Sequence, residues 1–467
     1  MLVHEILDRA PASVEAIRDT DGSWTYGELV NASHACANWL ASRGVVPGDR
    51  VLVRAVADRR VAALLYGCSR AGAIFVPVHE GTKPYQLTQI LADAEPALVV
   101  GDWESATPLP VWPLGSADFA GPEPDAAWPV MFFYTSGSVA APKAVVCPHA
   151  AVGFAAHAIA ERLSYRSGDV VYCRLPLSFD YGLYQMLLCA IGGATLVLAG
   201  AGSDARLVAE VRRHGATVVP AVPALAGMLV RLAARDPRPT AVRLFTNTGE
   251  AMPAPVIAGL RERFPGAGVQ LMFGLTECKR VSILDVDGDR ERPGSVGTPL
   301  AGTSVRIVDG SGAAVGPGAA GEIVVTGPHV MAGYWRDPAM TARFFRSSPS
   351  GMALHTGDVG HLDADGHLYF HGRRDHIFKR RGMRTSVAEI EAAALDIPGV
   401  VEVALVPPAD GHDAVLYVVG AGLASEAVRR ELRDRLDPAK VPDDCLVVSE
   451  IPHGPTGKVD RVALRGS

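Results

Sequence analysis

A short polar stretch of the sequence combines three hydroxyl side chains, a glycine and a lysine. It reads Tyr134-Thr135-Ser136-Gly137-Ser138-Val139-Ala140-Ala141-Pro142-Lys143. The glycine would let backbone amides approach an anion, the hydroxyls would donate hydrogen bonds, and the lysine would supply charge. Because the G-x-x-x-x-G-K-[ST] spacing of a P-loop is absent, the stretch predicts a phosphate-binding loop of another kind. Taken alone, it could equally be a polar surface turn.

Two further motifs follow apolar runs that predict buried strands. Thr248-Gly249-Glu250-Ala251 would allow the backbone to lie flat against a planar base. Phe273-Gly274-Leu275-Thr276-Glu277 offers an aromatic ring, a hydroxyl and a carboxylate of the kind that binds Mg²⁺. The two motifs therefore predict contacts with a base and with a magnesium ion.

The last part of the chain carries three more charged motifs. Leu354-His355-Thr356-Gly357-Asp358 offers a carboxylate that could accept hydrogen bonds from both hydroxyls of a ribose. Gly372-Arg373-Arg374-Asp375 supplies a cation and a candidate hinge. Thr456-Gly457-Lys458-Val459-Asp460-Arg461 presents a lysine on a tip that glycine makes flexible. Each motif alone could be an N-cap or a solvated charge, so the prediction depends on their occurring together.

The composition is typical of a well-packed enzyme. The 467 residues are 48% hydrophobic and 20% charged, and the formal net charge is −6. This length allows two or more domains, and the acidic balance argues against a nucleic-acid partner. We expect no membrane partner, because no apolar run is long enough to span a bilayer. The seven cysteines form no C-x-x-C pair, and the start of the chain does not resemble a signal peptide. We therefore expect a cytoplasmic location with reduced thiols.

The pattern of apolar runs predicts an α/β fold. Between residues 96 and 283, short apolar runs alternate with helical patterns, which is typical of layered sheets with helices on their faces. Turn-rich β pairs follow from residue 302 to residue 379. A helix near 388–395, a strand near 401–406 and a helix near 425–436 then predict a small closing unit. The charged residues 372–375 are the predicted domain boundary.

In their order and spacing, these motifs resemble the adenylate-forming superfamily, which includes acyl-CoA synthetases, adenylation domains of peptide synthetases and firefly-type luciferases. The resemblance covers essentially the whole chain. It implies a large AMP-binding domain over residues 1–373, with layered α/β sheets and a β-barrel-like subdomain. It also implies a small, mobile α+β lid domain over residues 374–467. The expected activity is that of an AMP-forming acid–thiol ligase, which joins a carboxylic acid and ATP into an acyl-adenylate.

The resemblance implies that residues from four motifs contact ATP. The expected phosphate contacts are Thr135, Ser136, Gly137, Ser138 and Lys143. The expected adenine contacts are Gly249, Glu250, Ala251 and Phe273, whose ring stands where the family usually has tyrosine. The expected ribose contacts are Asp358 and Arg373.

The resemblance assigns the chemical step to Thr276, Glu277 and Lys458. Thr276 would contact the α-phosphate and Glu277 would bind Mg²⁺. Lys458 would bridge the substrate carboxylate and the α-phosphate, where it would reduce the repulsion between two negative groups. Asp375 would be the hinge about which the C-terminal domain turns. The loop at residues 379–382 would then face the pantetheine thiol of coenzyme A or of a carrier protein.

The phosphate loop departs from the family pattern. Relatives usually have Thr-Gly at Val139-Ala140 and glycine at Ala144. Loss of the threonine hydroxyl removes a hydrogen bond to a charged group, worth about 1.5–3 kcal/mol. The Cβ of Ala140 also restricts a backbone that could need positive φ. We therefore expect weaker ATP binding than in a typical relative.

Residues 175–184 correspond to the segment that lines the acyl pocket of the family. Amino-acid-activating relatives carry Phe-Asp at Phe179-Asp180, and their aspartate binds the substrate ammonium. A carboxylate in an apolar pocket needs a partner, and Arg280 is a candidate inside the protein. If Asp180 pairs with Arg280, the site could accept an uncharged acid. If both face the ligand, the substrate has a cationic and an anionic end besides its reacting carboxylate.

The pocket also predicts the size of the substrate. Tyr181 and Tyr184 would occupy depth that small residues would leave open, so we expect a short acid and no long-chain fatty acid. An amino-acid-like acid is favoured over a neutral acyl or aryl acid. The chain ends soon after Arg461, so we expect any carrier protein to act in trans. Two other functions are considered, a luciferase-like oxidative enzyme and a binding protein without turnover. The presence of Lys143, Glu277, Asp358 and Lys458 argues against a binding protein without turnover.

Overall fold

The secondary structure alternates between strands and helices along most of the chain. The structure is a computed structural model that describes residues 1–82, 84–103, 106–115, 117–135, 143–200, 204–349, 351–373, 377–380, 383–408, 413–436, 440–454 and 457–465. The strands are β1 (Glu15–Asp19), β2 (Gly22–Thr25), β3 (Arg50–Arg54), β4 (Ile74–Val78), β5 (Leu98–Val100), β6 (Pro129–Thr135), β7 (Lys143–Pro148), β8 (Val170–Cys173), β9 (Thr195–Leu198), β10 (Val218–Ala221), β11 (Leu244–Asn247), β12 (Gly268–Phe273), β13 (Ser282–Ile283), β14 (Thr298–Pro299), β15 (Ser304–Val308), β16 (Gly321–Thr326), β17 (Phe345–Ser348), β18 (Gly351–Leu362), β19 (Leu368–Arg373), β20 (Ile377–Arg380), β21 (Met383–Ser386), β22 (Glu402–Val406), β23 (Val415–Val419) and β24 (Asp444–Val448). The helices are α1 (Val3–Asp8), α2 (Tyr26–Ser42), α3 (Arg59–Ala71), α4 (Pro84–Ala94), α5 (His149–Leu163), α6 (Asp180–Gly192), α7 (Leu207–Arg213), α8 (Pro223–Arg235), α9 (Ala254–Arg263), α10 (Pro338–Phe344), α11 (Val387–Leu395), α12 (Ser425–Arg435) and α13 (Arg461–Arg465).

The largest sheet has nine strands in the order β14-β13-β12-β11-β10-β8-β9-β1-β2. Its central strands β8 to β12 run parallel, and β1 joins them parallel to β9. Parallel strands are buried on both faces, so their sequences are continuous apolar runs. The alternation of strands and helices predicted between residues 96 and 283 is confirmed, and β8 to β12 are strands of this region.

Helices fill the space between this sheet and a second, five-stranded one in the order β5-β3-β4-β6-β7. The largest core cluster joins α2, α3, α5 and α6 to Val51 and Phe75 of the second sheet and to Val171 and Leu196 of the first. Helices α7 to α9 pack against the other face of the first sheet, and α4 against the outer face of the second. The predicted layered α/β architecture is confirmed.

Local sequence signals start and stop these helices. Thr25 and Glu28 form a capping box at the start of α2, in which each side chain binds the other residue's backbone N–H. Asp58 caps the start of α3, and Gly72 ends it with a φ of 70°, which is in the left-handed region. None of the helices in the described ranges is both long and apolar enough to cross a bilayer.

Two smaller sheets complete the fold. Strands β15-β16-β18-β17 form an antiparallel sheet, with β19 paired to β18, in the region where the sequence predicted β pairs. The last part of the chain forms the sheet β22-β23-β24, against which α11 and α12 pack. The predicted closing helices and strand are confirmed as α11, α12 and β22.

The C-terminal region has its own hydrophobic core. Two core clusters draw all their buried members from residues 387–464, and neither shares a residue with the N-terminal clusters. Separate cores are typical of separate domains. The predicted boundary at residues 372–375 lies partly outside the described residues, and the predicted hinge Asp375 lies wholly outside them.

Candidate active site

The carboxyl ends of neighbouring parallel strands bring several predicted motifs to one edge of the nine-stranded sheet. Residues 248–251 follow β11, and residues 274–277 follow the adjacent β12. Val222 follows β10, and a Cβ added to Gly457 would lie 3.3 Å from its Cγ2. The tip that carries Lys458 therefore lies against the same edge. Open α/β sheets usually bind their ligands at such an edge.

The phosphate-loop motif connects two antiparallel strands. Thr135 and Lys143 are paired across β6 and β7, while Ser136, Gly137, Ser138, Val139 and Ala140 lie outside the described residues. The Lys143 ammonium lies 2.7 Å from Met340 Sδ and 4.0 Å from Asp337 Oδ2. Ala144 is buried in the core cluster that contains Leu52 and Val76. The structure thus fixes the ends of the loop, and its phosphate contacts stay a prediction.

Glu277 is held by a tyrosine that the sequence did not single out. The Tyr334 hydroxyl donates a 2.6 Å hydrogen bond to Glu277 Oε1. Burial, together with the Glu277 charge, raises the pKa of Tyr334, so the hydroxyl stays a donor. Thr276 and Glu277 are both half-buried. Magnesium bound mainly by nucleotide phosphates needs only one or two protein carboxylates, so Glu277 fits such an ion.

The structure brings Asp358 and Arg373 together, and their contacts with a ribose stay a prediction. Arg373 Nε lies 3.0 Å from Asp358 Oδ1 across the paired strands β18 and β19. The pKa of Asp358 is raised to about 6, mainly by burial and also by the charge of Glu277, while Arg373 and Lys458 oppose the shift. The carboxylate is therefore ionised, and able to accept two hydrogen bonds, only above about this pH.

Lys458 lies among charged groups of both regions. Burial raises the pKa of Glu250 and the charge of Glu391 adds to the shift, while Lys458, Arg461 and His453 lower it. The charge of Lys458 acts on Asp358 as well. Lys458 itself is exposed. The charge of Lys458 therefore acts on one predicted adenine contact, Glu250, and on one predicted ribose contact, Asp358.

The predicted adenine contacts differ in exposure. Gly249 and Ala251 are exposed, and Gly249 has a φ of 89°. A Cβ at Gly249 would lie 3.2 Å from Phe179 Cζ. Both this close approach and the positive φ favour a glycine at position 249. The Phe273 ring is buried, and one of its faces stacks on Phe370 with ring centroids 4.9 Å apart. Stacking of adenine on Phe273 stays a prediction.

The predicted acyl pocket contains three buried charged groups. The exposed fractions are 5% for Asp180, 1% for Lys279 and 5% for Arg280. Lys279 Nζ lies 3.7 Å from Asp180 Oδ2 and 4.1 Å from the centroid of the Phe133 ring. Lys279, and not the predicted Arg280, is thus the ion-pair partner of Asp180 in the described part of the chain.

Arg280 makes different contacts. Its Nη1 donates a 2.6 Å hydrogen bond to the Lys279 carbonyl, and its guanidinium carbon lies 5.0 Å from the centroid of the Tyr181 ring. Lys279 has a φ of 64°, an uncommon value for a residue with a side chain. This left-handed backbone conformation is the local feature that places the two adjacent cations in one buried region.

Two tyrosines line the same region. The Tyr181 hydroxyl is 2.7 Å from Thr246 Oγ1, and the centroid of the buried Tyr184 ring is 5.8 Å from Lys279 Nζ. Lys279 Nζ, Arg280 Nε, the Tyr184 hydroxyl and Thr248 Oγ1 are among the buried polar atoms that have no hydrogen-bond partner within the described residues. Buried polar groups are normally paired, so this cluster points to a ligand.

The sequence missed two residues of this site, and each had a weak signal. Lys279 directly precedes Arg280 in Cys278-Lys279-Arg280-Val281, and Tyr334 lies in Gly333-Tyr334-Trp335, a pattern that is equally typical of core packing. Cys278, next to Glu277, is fully buried, and burial raises the pKa of its thiol. It has no role in the proposed chemistry.

Comparisons with known proteins place this site in a family. The sequence profile of the AMP-binding enzyme family matches residues 4–335, and that of the AMP-binding enzyme C-terminal domain matches residues 389–458. The chain belongs to the AMP-binding enzyme family. An L-proline–[L-prolyl-carrier protein] ligase of Streptomyces coelicolor is 30% identical over 93% of this chain and 90% of its own length.

Two further relatives give a broader picture. A probable non-canonical nonribosomal peptide synthetase, CymA of Salinispora arenicola, is 31% identical over 99% of this chain. The chain spans 6% of that relative's length. VinN, solved in complex with L-aspartate, is 45% identical over 80% of this chain and 98% of its own, with a TM-score of 0.72. VinN has also been solved with 3-methylaspartate.

These matches confirm the expected enzyme class, an AMP-forming acid–thiol ligase. Members of this family found here include ligases for amino acids on carrier proteins and ligases for acyl or aryl acids on coenzyme A. ATP-dependent formation of an acyl-adenylate, followed by transfer to a thiol, is thus the activity of this chain.

Proposed function

We propose that this chain activates an amino acid that bears a second carboxylate and is about the size of aspartate. The acyl group is then transferred to the pantetheine thiol of a carrier protein that acts in trans. The observation that carries the proposal is the buried cluster of one carboxylate, Asp180, and two cations, Lys279 and Arg280. Such a set of charges is complementary to a substrate with one ammonium and one extra carboxylate.

The cost of burying charge supports this choice of substrate. Asp180, Lys279 and Arg280 are shielded from water, and a buried charge is strongly unfavourable unless a group of opposite charge lies beside it. Asp180 binds the substrate ammonium. Lys279 and Arg280 bind the second carboxylate of the substrate. The third charged group of the substrate, its reacting carboxylate, faces the nucleotide.

VinN supports the proposed substrate, and the S. coelicolor relative supports the proposed acceptor. VinN has been solved with L-aspartate and with 3-methylaspartate, both of which carry an ammonium and two carboxylates. The S. coelicolor relative transfers L-proline to a carrier protein. Tyr181 and Tyr184, which are both buried, limit the depth of the pocket and so favour a short side chain.

Under this proposal the ATP-site residues act mainly by position and charge. Thr135, Ser136, Gly137, Ser138 and Lys143 bind the β- and γ-phosphates. Gly249, Glu250, Ala251 and Phe273 border the adenine, and Asp358 and Arg373 bind the ribose. Thr276 contacts the α-phosphate. A magnesium ion on Glu277 supplies positive charge that offsets the phosphates.

Lys458 completes the site. It orients the substrate carboxylate against the α-phosphate and stabilises the charge that develops as pyrophosphate leaves. We further propose that residues 1–373 and 374–467 are the two domains and that Asp375 is the hinge between them. Rotation about this hinge removes Lys458 and brings residues 379–382 toward the thiol.

Pyrophosphate exchange into ATP over a matched set of acids tests the proposed substrate. L-aspartate and 3-methylaspartate carry all three charged groups, methylsuccinate lacks the ammonium, and 2-aminobutyrate lacks the second carboxylate. We expect each incomplete acid to lose at least about a hundredfold in kcat/KM, because a buried polar group is then left unpaired. Equal turnover of 2-aminobutyrate and aspartate would contradict the proposal. Adding coenzyme A or a pantetheinylated carrier protein to the preformed adenylate then identifies the acceptor.

A further inference from the structure

Tyr334 contacts the carboxylate to which we assign the magnesium ion, and its own direction is fixed by packing. Its hydroxyl donates a 2.6 Å hydrogen bond to Glu277 Oε1. Its ring packs edge-on against Phe344 and Phe345, with centroids 6.2 and 5.6 Å apart. Hydrogen bonds to a carboxylate are stronger than those between neutral groups. Tyr334 can therefore restrain the orientation of Glu277.

The segment around Tyr334 also contacts the strand that carries Lys143. We call residues 331–341 the bracing segment. Its Met331 N–H donates to the Glu277 carbonyl, and its Trp335 N–H donates to the Ala144 carbonyl, both at 2.9 Å. Asp337 of the same segment lies 4.0 Å from the Lys143 ammonium. One stretch of chain thus holds the backbone beside both a predicted metal ligand and a predicted phosphate ligand.

We propose that Tyr334 is a positioning residue that fixes Glu277 for the metal–nucleotide complex, and that the bracing segment holds Glu277 in place relative to Lys143. The inference rests on the ATP-dependent function proposed above. Partners of metal ligands orient those ligands, and their removal commonly costs tenfold to a hundredfold in metal affinity. Because Tyr334 donates only one hydrogen bond to Glu277, we expect the lower end of this range.

The test measures binding without turnover. Mn²⁺ and α,β-methylene-ATP are titrated together onto the full chain, and bound Mn²⁺ is followed by electron paramagnetic resonance. We expect Tyr334→Phe to weaken binding of the Mn²⁺–nucleotide complex about tenfold. Binding of the nucleotide without metal, measured by calorimetry, should stay within twofold of the wild type. In a Glu277→Gln background, Tyr334→Phe should cause no further loss, since the two residues act through one contact.

A matched variant controls for loss of a tyrosine hydroxyl. Tyr369 of β19 also faces a carboxylate, Asp363 at 3.4 Å, and Tyr369→Phe should leave Mn²⁺–nucleotide binding unchanged. The positioning role is overturned if Tyr334→Phe binds the complex like the wild type. It is equally overturned if metal-free binding falls as much, or if the loss persists with Glu277→Gln. Failure of the wild type itself to bind the complex would contradict the proposed function as well.

Discussion

Replacement of Asp180 by asparagine gives the sharpest test of the substrate assignment. The side chain is 5% exposed, so its partner charge is poorly compensated by water. Removing one member of a buried ion pair typically costs about 3–5 kcal/mol. At about 1.4 kcal/mol per tenfold change, Asp180→Asn should lower kcat/KM for the amino acid by roughly two to four orders of magnitude. The shape of the side chain is preserved, so packing changes contribute little.

The assay is pyrophosphate exchange with aspartate and with methylsuccinate, which lacks the ammonium. We expect the slow rate with methylsuccinate to change little in the variant, because this acid has no cation for Asp180 to bind. Wild-type activity of Asp180→Asn on the true amino acid would refute the reasoning. So would an equal loss on both acids, which would indicate general damage to the site.

Stability needs a separate control, because Asp180 also lies 3.7 Å from the buried Lys279 ammonium. Asp180→Asn leaves this cation without its counter-charge and should lower the free energy of unfolding. The double variant Asp180→Asn with Lys279→Met removes both charges, so it should recover stability in urea denaturation. It should not recover activity on the amino acid. Stability and recognition are thereby measured independently.

Three further predictions concern the nucleotide site. The pKa of Asp358 is raised to about 6, so the KM for ATP should rise as the pH falls below this value and should be constant above pH 7. Asp358→Asn should abolish this pH dependence. Lys458→Ala should abolish pyrophosphate exchange yet retain thioester formation from a supplied acyl-adenylate; loss of both would contradict its assigned role. Val139→Thr with Ala140→Gly should lower the KM for ATP, and an unchanged or higher KM would argue against weakened binding.

The sequence predicted local elements well and their arrangement poorly. The central parallel strands β8 to β12 were recognisable because burial on both faces makes each a mostly apolar run, whereas the edge strands β1 and β2 are polar and were not predicted. The order of the strands was not recognisable, because pairing joins distant segments: Ile17 of β1 pairs with Leu196 of β9. Motif order predicted the family, yet it carried no information about which sheet each motif would follow.

The candidate site shows the same limit. The sequence presented two adjacent cations, Lys279 and Arg280, and could not decide which one faces Asp180. Which of the two cations pairs with Asp180 depends on the backbone conformation at Lys279, where φ is 64°. The pattern of side chains in the sequence does not predict this φ. Tyr334 was missed for a related reason, since its partner Glu277 is far away along the chain and the contact arises only from folding.

The charged groups around Glu250 have a consequence for the kinetics of the whole cycle. The exposed Lys458 of the C-terminal region attracts Glu250 of the N-terminal region, whereas Glu391 repels it, and Arg461 and His453 already lie beside Glu391 and Glu402 of their own region. Dissolved ions screen such attraction over about 10 Å at 0.1 M salt, whereas the buried pair of Asp180 and Lys279 is protected from them. Raising the ionic strength should therefore speed the departure of Lys458 from the site and leave binding of the acid almost unchanged.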